Sequence, residues 1–102
     1  MNDEPHIIRH VTVRGRVQGV GYRAFVEYHA IQRGLAGWVR NRRDGSVEAV
    51  FAGPERSVKG MIEASRLGPL PAYVDTLDQR DGTEDELNAR APGDLFSVLK
   101  TV

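Results

Sequence analysis

The sequence predicts an α+β domain in which two helices cover one face of an antiparallel sheet. Three observations carry this. Asp44-Gly45 lies between two segments rich in Val, Trp and Phe, which is a strong short-range hairpin signal. On either side of that hairpin a stretch repeats its apolar residues at helical rather than strand spacing. Each of these stretches is flanked on its outer side by a segment that reads as a strand.

The elements follow in order. Residues 1–6 are polar and contain Pro5, as in a loose terminus. Residues 7–14 read as a strand with Ile7, Val11 and Val13 on one face. Residues 22–33 read as a helix, because Tyr22, Phe25, Val26 and Ala30 recur at helical spacing and Gly34 suits the position just past its end. The hairpin strands cover 37–42 and 46–52. Gly53-Pro54 closes the second of them, and Pro54 suits the first turn of a new helix. There Val58, Met61, Ile62 and Ser65 fall at i, i+3, i+4 and i+7, a narrow buried stripe that ends at Gly68-Pro69. Residues 72–79 form a strand, 81–94 are polar and turn-rich, and 95–99 offer a short fifth strand. The order β-α-β-β-α-β is the ferredoxin-like plan, here expected as a single domain over residues 1–102.

Composition narrows the function. Without cysteine, disulfides, thiolate zinc sites and cysteine nucleophiles are excluded. No apolar run reaches the length of a membrane span and no leader precedes the first strand, so the expectation is a soluble, cytoplasmic protein. Net charge is zero but uneven: residues 1–43 hold eight Arg against three acids, and 44–102 hold six Lys or Arg against eleven acids. The basic half suits a small anion, although solvated surface arginines would give the same count.

That half contains Gly15-Arg16-Val17-Gln18-Gly19-Val20-Gly21-Tyr22-Arg23. Three glycines in seven positions allow backbone conformations that turn successive N–H groups inward around an anion. The helix beginning near Tyr22 adds its own unpaired N–H groups and the positive end of its dipole. Arg23 stands in the first turn, where a cation is unfavourable unless an anion is bound beside it. The loop thus reads as a phosphate or carboxylate cradle made by Gln18, Gly19, Val20, Gly21 and Tyr22, with Arg23 as its guanidinium fork. At the hairpin, Asn41 is a common strand-end residue, and its amide can also orient a water.

Two blocks carry a family resemblance. Gly15-x-Val17-Gln18-Gly19-Val20-x-Tyr22-Arg23 resembles the first signature of the acylphosphatases, which usually have Phe at the position of Tyr22. Gly34-Leu35-x-Gly37-Trp38-Val39-Arg40-Asn41-x-x-Asp44-Gly45-x-Val47-Glu48 resembles the second, at the expected separation. Gly53, Gly68-Pro69 with Ala72-x-Val74, and Phe96-x-Val98 extend the likeness over most of the chain. Arg33 stands where the family often has an aliphatic residue, and the acidic stretch 83–94 is long. The resemblance implies hydrolysis of small acyl phosphates to a carboxylate and inorganic phosphate, without metal or organic cofactor. It also places the catalytic arginine on Arg23 and the catalytic asparagine on Asn41. His6, His10 and His29 are scattered and form no metal or triad spacing. The leaving group of an acyl phosphate is a carboxylate, so a general acid is not required, and positioning with charge stabilisation can suffice.

Three rival readings stand beside this one. Gly19-x-Gly21-x-x-Ala24, with Asp44 downstream, matches a dinucleotide fingerprint but lacks the parallel βαβ context. A nucleic-acid module would stack bases on central-strand aromatics, a pattern absent from residues 46–51. A non-catalytic domain that binds phosphate or an acyl phosphate is the third. The expected partners are therefore a small acyl phosphate and inorganic phosphate, with no nucleic acid and no membrane, for a monomeric chain.

Overall fold

The computed structural model describes residues 4–102, so Met1 to Asp3 of the expected loose terminus lie outside the described residues. Five strands and three helices follow in the order β1 (His6–Arg16), α1 (Tyr22–Gln32), β2 (Ala36–Asn41), β3 (Val47–Pro54), α2 (Glu55–Leu67), β4 (Tyr73–Asp81), α3 (Glu84–Leu87) and β5 (Phe96–Val98). The sheet order is β4-β1-β3-β2-β5. The first four strands pair antiparallel, as the sequence predicts. The fifth joins β2 in parallel, with Gly37 opposite Phe96 and Val39 opposite Val98, so the sheet is mixed rather than wholly antiparallel. A strand reached through the long 82–95 connection, and not through a tight turn, is free to run either way.

Strand alternation sorts the side chains. Val11, Val13, Val39, Ala49 and Phe51 face α1 and α2, whose Tyr22, Val26 and Ala30 and whose Val58, Met61 and Ile62 close over them. Each fully buried aliphatic side chain of this kind contributes roughly 1.5–3 kcal/mol. The four-residue stripe expected on α2, Ser65 included, is the set that the helix buries.

Helix α1 stops where Gly34 was expected to stop it. The Leu35 N–H bonds the Ala30 carbonyl at 3.0 Å, and the Gly34 N–H bonds that of Ile31 at 2.9 Å, the paired bonds of a Schellman motif. On the opposite face Trp38, Val50, Ala52 and Leu87 form a smaller cluster beneath α3. The residues expected as a turn-rich stretch thus hold a helix. Its signal was legible: Thr83 and Glu86 form a capping box, three residues apart and ahead of buried Leu87.

Candidate active site

The cradle forms where β1 runs out. Gly19 and Gly21 have φ of 74° and 80°, a region a side chain enters only with strain, although a Cβ on either would meet open space. Backbone conformation, not crowding, calls for glycine at both. Gly21 is the N-cap of α1, contributes no side-chain hydrogen bond and is followed by no acidic residue in the first turn. The first bond closed within the helix is Phe25 N–H to Gly21 carbonyl at 3.0 Å, so the N–H groups of Tyr22, Arg23 and Ala24 have no intrahelical acceptor.

Arg23 is half-buried and has no hydrogen-bond or ion-pair partner among the described residues. Asn41, the last residue of β2, borders the same space. Its Oδ1 is buried and has no hydrogen-bond partner among the described residues. Together with Val17, Gly19, Gly21, Tyr22 and Ala24 these two residues line one cavity of about 180 Å³. Of the expected loop residues, Gly19, Gly21 and Tyr22 border it. Val20 packs against the main core instead.

Gln18 faces another way. Its Nε2 donates to the carbonyls of Arg42 and Ser46, each at 2.8 Å, tying the glycine loop to both arms of the hairpin turn just beyond Asn41. Sequence reasoning assigned Gln18 only a backbone role. The available signal was a lone amide side chain in a glycine loop, able to donate twice. The hairpin is also braced from within. Asp44 Oδ1 accepts from the Ser46 hydroxyl at 2.6 Å and from its N–H at 2.9 Å, and the Arg42 N–H bonds the Ser46 carbonyl at 2.8 Å. The Ser46 hydroxyl, then its N–H, hold the Asp44 carboxyl down to about 2.

Glu48, on the strand that leaves the hairpin, is already engaged. Glu48 is bonded by His10 Nε2 at 2.6 Å, Arg40 Nε at 2.8 Å and Arg42 Nη1 at 3.0 Å. Burial alone would raise the Glu48 carboxyl, but these donors outweigh it and leave it below its usual value. The hydroxyl that distinguishes Tyr22 from Phe reaches the Ser65 carbonyl at 2.7 Å, and burial of the phenol lifts it to about 12. His29 sits half-buried on α1 with its ring 4.3 Å from that of Phe25. No three His, Asp or Glu side chains are grouped so as to hold a metal ion among the described residues. Nor, among them, is any helix long and apolar enough to cross a membrane.

The Acylphosphatase family model matches residues 9–90, most of the chain. The chain belongs to the acylphosphatase family. It is 59% identical over 96 residues to an acylphosphatase of Rhodopseudomonas palustris (strain BisB18), covering 94% of this chain and 97% of that one. An acylphosphatase of Bradyrhizobium diazoefficiens is 57% identical over 95 residues, covering 93% and 96%. Among solved structures, the acylphosphatase from Bacillus subtilis superposes with a TM-score of 0.79 at 36% identity, over 91% of this chain and 98% of that chain. The family's ferredoxin-like sandwich is the architecture described above.

Proposed function

We propose that this chain hydrolyses small acyl phosphates, cleaving the carboxyl–phosphate anhydride to a carboxylate and inorganic phosphate. One observation carries the reading. A single cavity joins the Arg23 guanidinium and the Asn41 Oδ1, both without a partner among the described residues, to the first turn of α1. In this reading Arg23 grips two phosphoryl oxygens as a fork, and the backbone N–H groups of Gln18 to Tyr22 take the rest. Asn41 accepts a hydrogen bond from water and turns the water oxygen toward phosphorus, in line with the anhydride oxygen.

The step then balances without further help. A P–O bond forms from water as the bond to the bridging oxygen breaks, and that bond's electron pair departs on the carboxylate. A carboxylate is stable unprotonated at neutral pH, so no general acid is required. The water's proton passes to a phosphoryl oxygen of the substrate. Negative charge spread over those oxygens is what Arg23 and the N–H groups stabilise. The working unit in this proposal is a monomer; sedimentation would test it, and a stable dimer would revise it.

The functional test is hydrolysis of benzoyl phosphate with a chelator present, comparing wild type with Asn41→Ala. Turnover by the wild type is expected, with kcat lower by about 10²–10³-fold in the variant. Affinity for inorganic phosphate should change little in that variant, because the water-orienting group is not a phosphate ligand. A wild type that binds inorganic phosphate at the loop but never turns over would make the chain a binding module instead.

A further inference from the structure

A second cavity lies at the pole of the sheet opposite the cradle. Strand β2 runs from Ala36, which borders this cavity, to Asn41, which borders the cradle, about 17 Å at roughly 3.3 Å per residue. The cavity measures about 390 Å³, and Ile7, Ile8, Ala36, Ala52 and Leu87 give it aliphatic walls. His6, Glu84 and Arg90 are the ionisable side chains that border it. Arg90 Nη1 is buried and has no hydrogen-bond partner among the described residues, and none of their carboxylates forms an ion pair with this guanidinium. A guanidinium donor stripped of water with no acceptor in return is costly, and because Arg90 is only half-buried and borders the cavity, its guanidinium would relieve that cost by turning toward an anion held there.

We infer that this pole is a binding site for a small carboxylate with a compact apolar body, its carboxylate on Arg90 and its body against the aliphatic walls. A phosphate ion fits the chemistry poorly. It needs many donors, the aliphatic walls offer none beyond what His6 and Arg90 supply, and the neighbouring first turn of α2 is already closed by the Pro5 carbonyl and the Glu4 carboxylate. The carboxylate–guanidinium pair supplies the charge-assisted contact, and the apolar body replaces water against Ile8 and Leu87. Glu84 on the rim opposes an anion, so its neutralisation should tighten binding. The site is separate from the cradle and stands whether or not the cradle turns over.

The probe is benzoate, titrated into the isotopically labelled chain while backbone amide resonances are followed. The expected result is saturable shifts at Gly34, Ala36, Gly53 and Leu87, present equally in Arg23→Gln, where the cradle has lost its cation. Affinity at these amides should fall about tenfold or more in Arg90→Met and rise in Glu84→Gln. Ala36→Leu, which fills the cavity from the strand, should abolish the shifts and decides the matter if Arg90→Met fails to fold. Shifts confined to residues 18–24, shifts that never saturate, or unchanged affinity in a folded Arg90→Met would overturn the site. Inorganic phosphate saturating the same amides would overturn the carboxylate class.

Discussion

Among the described residues, the first turns of α2 and α3 find acceptors within the chain, and the first turn of α1 does not. At α2 the Glu55 N–H bonds the Pro5 carbonyl at 2.9 Å and the Arg56 N–H bonds the Glu4 carboxylate at 2.6 Å. At α3, Thr83 and Glu86 satisfy each other in a capping box, and three acids occupy the first turn. Both starts meet the need of N–H groups for acceptors and place negative charge at the positive end of the helix; α2 also carries Arg56 at its second position, but with the Glu55 and Glu4 carboxylates beside it. At α1 the cap is a left-handed glycine, no side chain accepts, and the charge in the first turn is that of Arg23. A local rule broken at one helix and obeyed at the other two is consistent with the proposal that the acceptor and the negative charge arrive there with the substrate.

That contrast is most sharply tested at Arg23. In Arg23→Gln the phosphoryl group loses its guanidinium, and kcat/KM for benzoyl phosphate should fall on the order of 10³-fold or more. Removing a cation from a helix N-terminus should leave stability unchanged or raise it by about 0.3–1 kcal/mol, read by denaturant unfolding. A variant that is both inactive and markedly less stable would show that Arg23 holds the fold, and the contrast between the helix starts would then lose its functional meaning.

Gln18 carries the next largest effect, because it connects the open helix start to Asn41. Gln18→Leu removes the donor shared by the Arg42 and Ser46 carbonyls, each of which keeps a backbone donor, and stability should fall by about 1 kcal/mol. Turnover should fall through kcat, since the loop and the residue argued to orient water are no longer held in one frame. Combined with Asn41→Ala, the second substitution should cost far less kcat than it does alone, because both act on the placement of one water. Additive losses would separate Gln18 from Asn41.

The sequence made the cradle legible because its parts are local. The glycine pattern, the helix start and Arg23 lie within nine consecutive residues, and Asp44-Gly45 marks the turn that follows Asn41. What stayed hidden depends on distant pairs. Periodicity cannot show that Gln18 reaches across to Arg42 and Ser46, or that Oδ1 of Asn41 ends up buried without a partner. Nor could it orient β5, because 95–99 is apolar throughout save for Ser97 and the parallel pairing depends on where a long connection lands. Helix α3 is a different kind of miss. The capping box was written in Thr83 and Glu86, but four residues are too few for helical spacing to announce.

Tyr22 joins the open start of α1 to the far end of α2. The Ser65 carbonyl would ordinarily accept from the N–H four residues on, but that residue is Pro69, which has none. The Tyr22 hydroxyl takes its place. Tyr22→Phe should therefore lower stability by about 1–2 kcal/mol while leaving kcat/KM unchanged, since the ring is kept and the hydroxyl points away from the cradle, to Ser65. A change in turnover without a change in stability would place that hydroxyl in the chemistry instead.

The smallest effect belongs to the helix start that is closed by charge. The Arg80 guanidinium, then the Thr83 N–H, hold the Glu86 carboxyl down to about 2. A carboxyl depressed in the fold contributes its stability above its unfolded value, near 4.3, and loses it as pH falls through about 2. Glu86→Gln should thus be less stable than wild type at pH 6, and the two should converge as pH approaches 2, with activity at neutral pH unaffected. Thermal unfolding across that range reads the difference directly. Were the gap to stay constant down to pH 2, the carboxylate's charge would contribute nothing, and the closure of α3 would rest on Thr83 and on Leu87 packing beneath it. The closed starts would then owe their stability to hydrogen bonds alone, and Arg23 would be anomalous for its missing acceptor rather than for its sign.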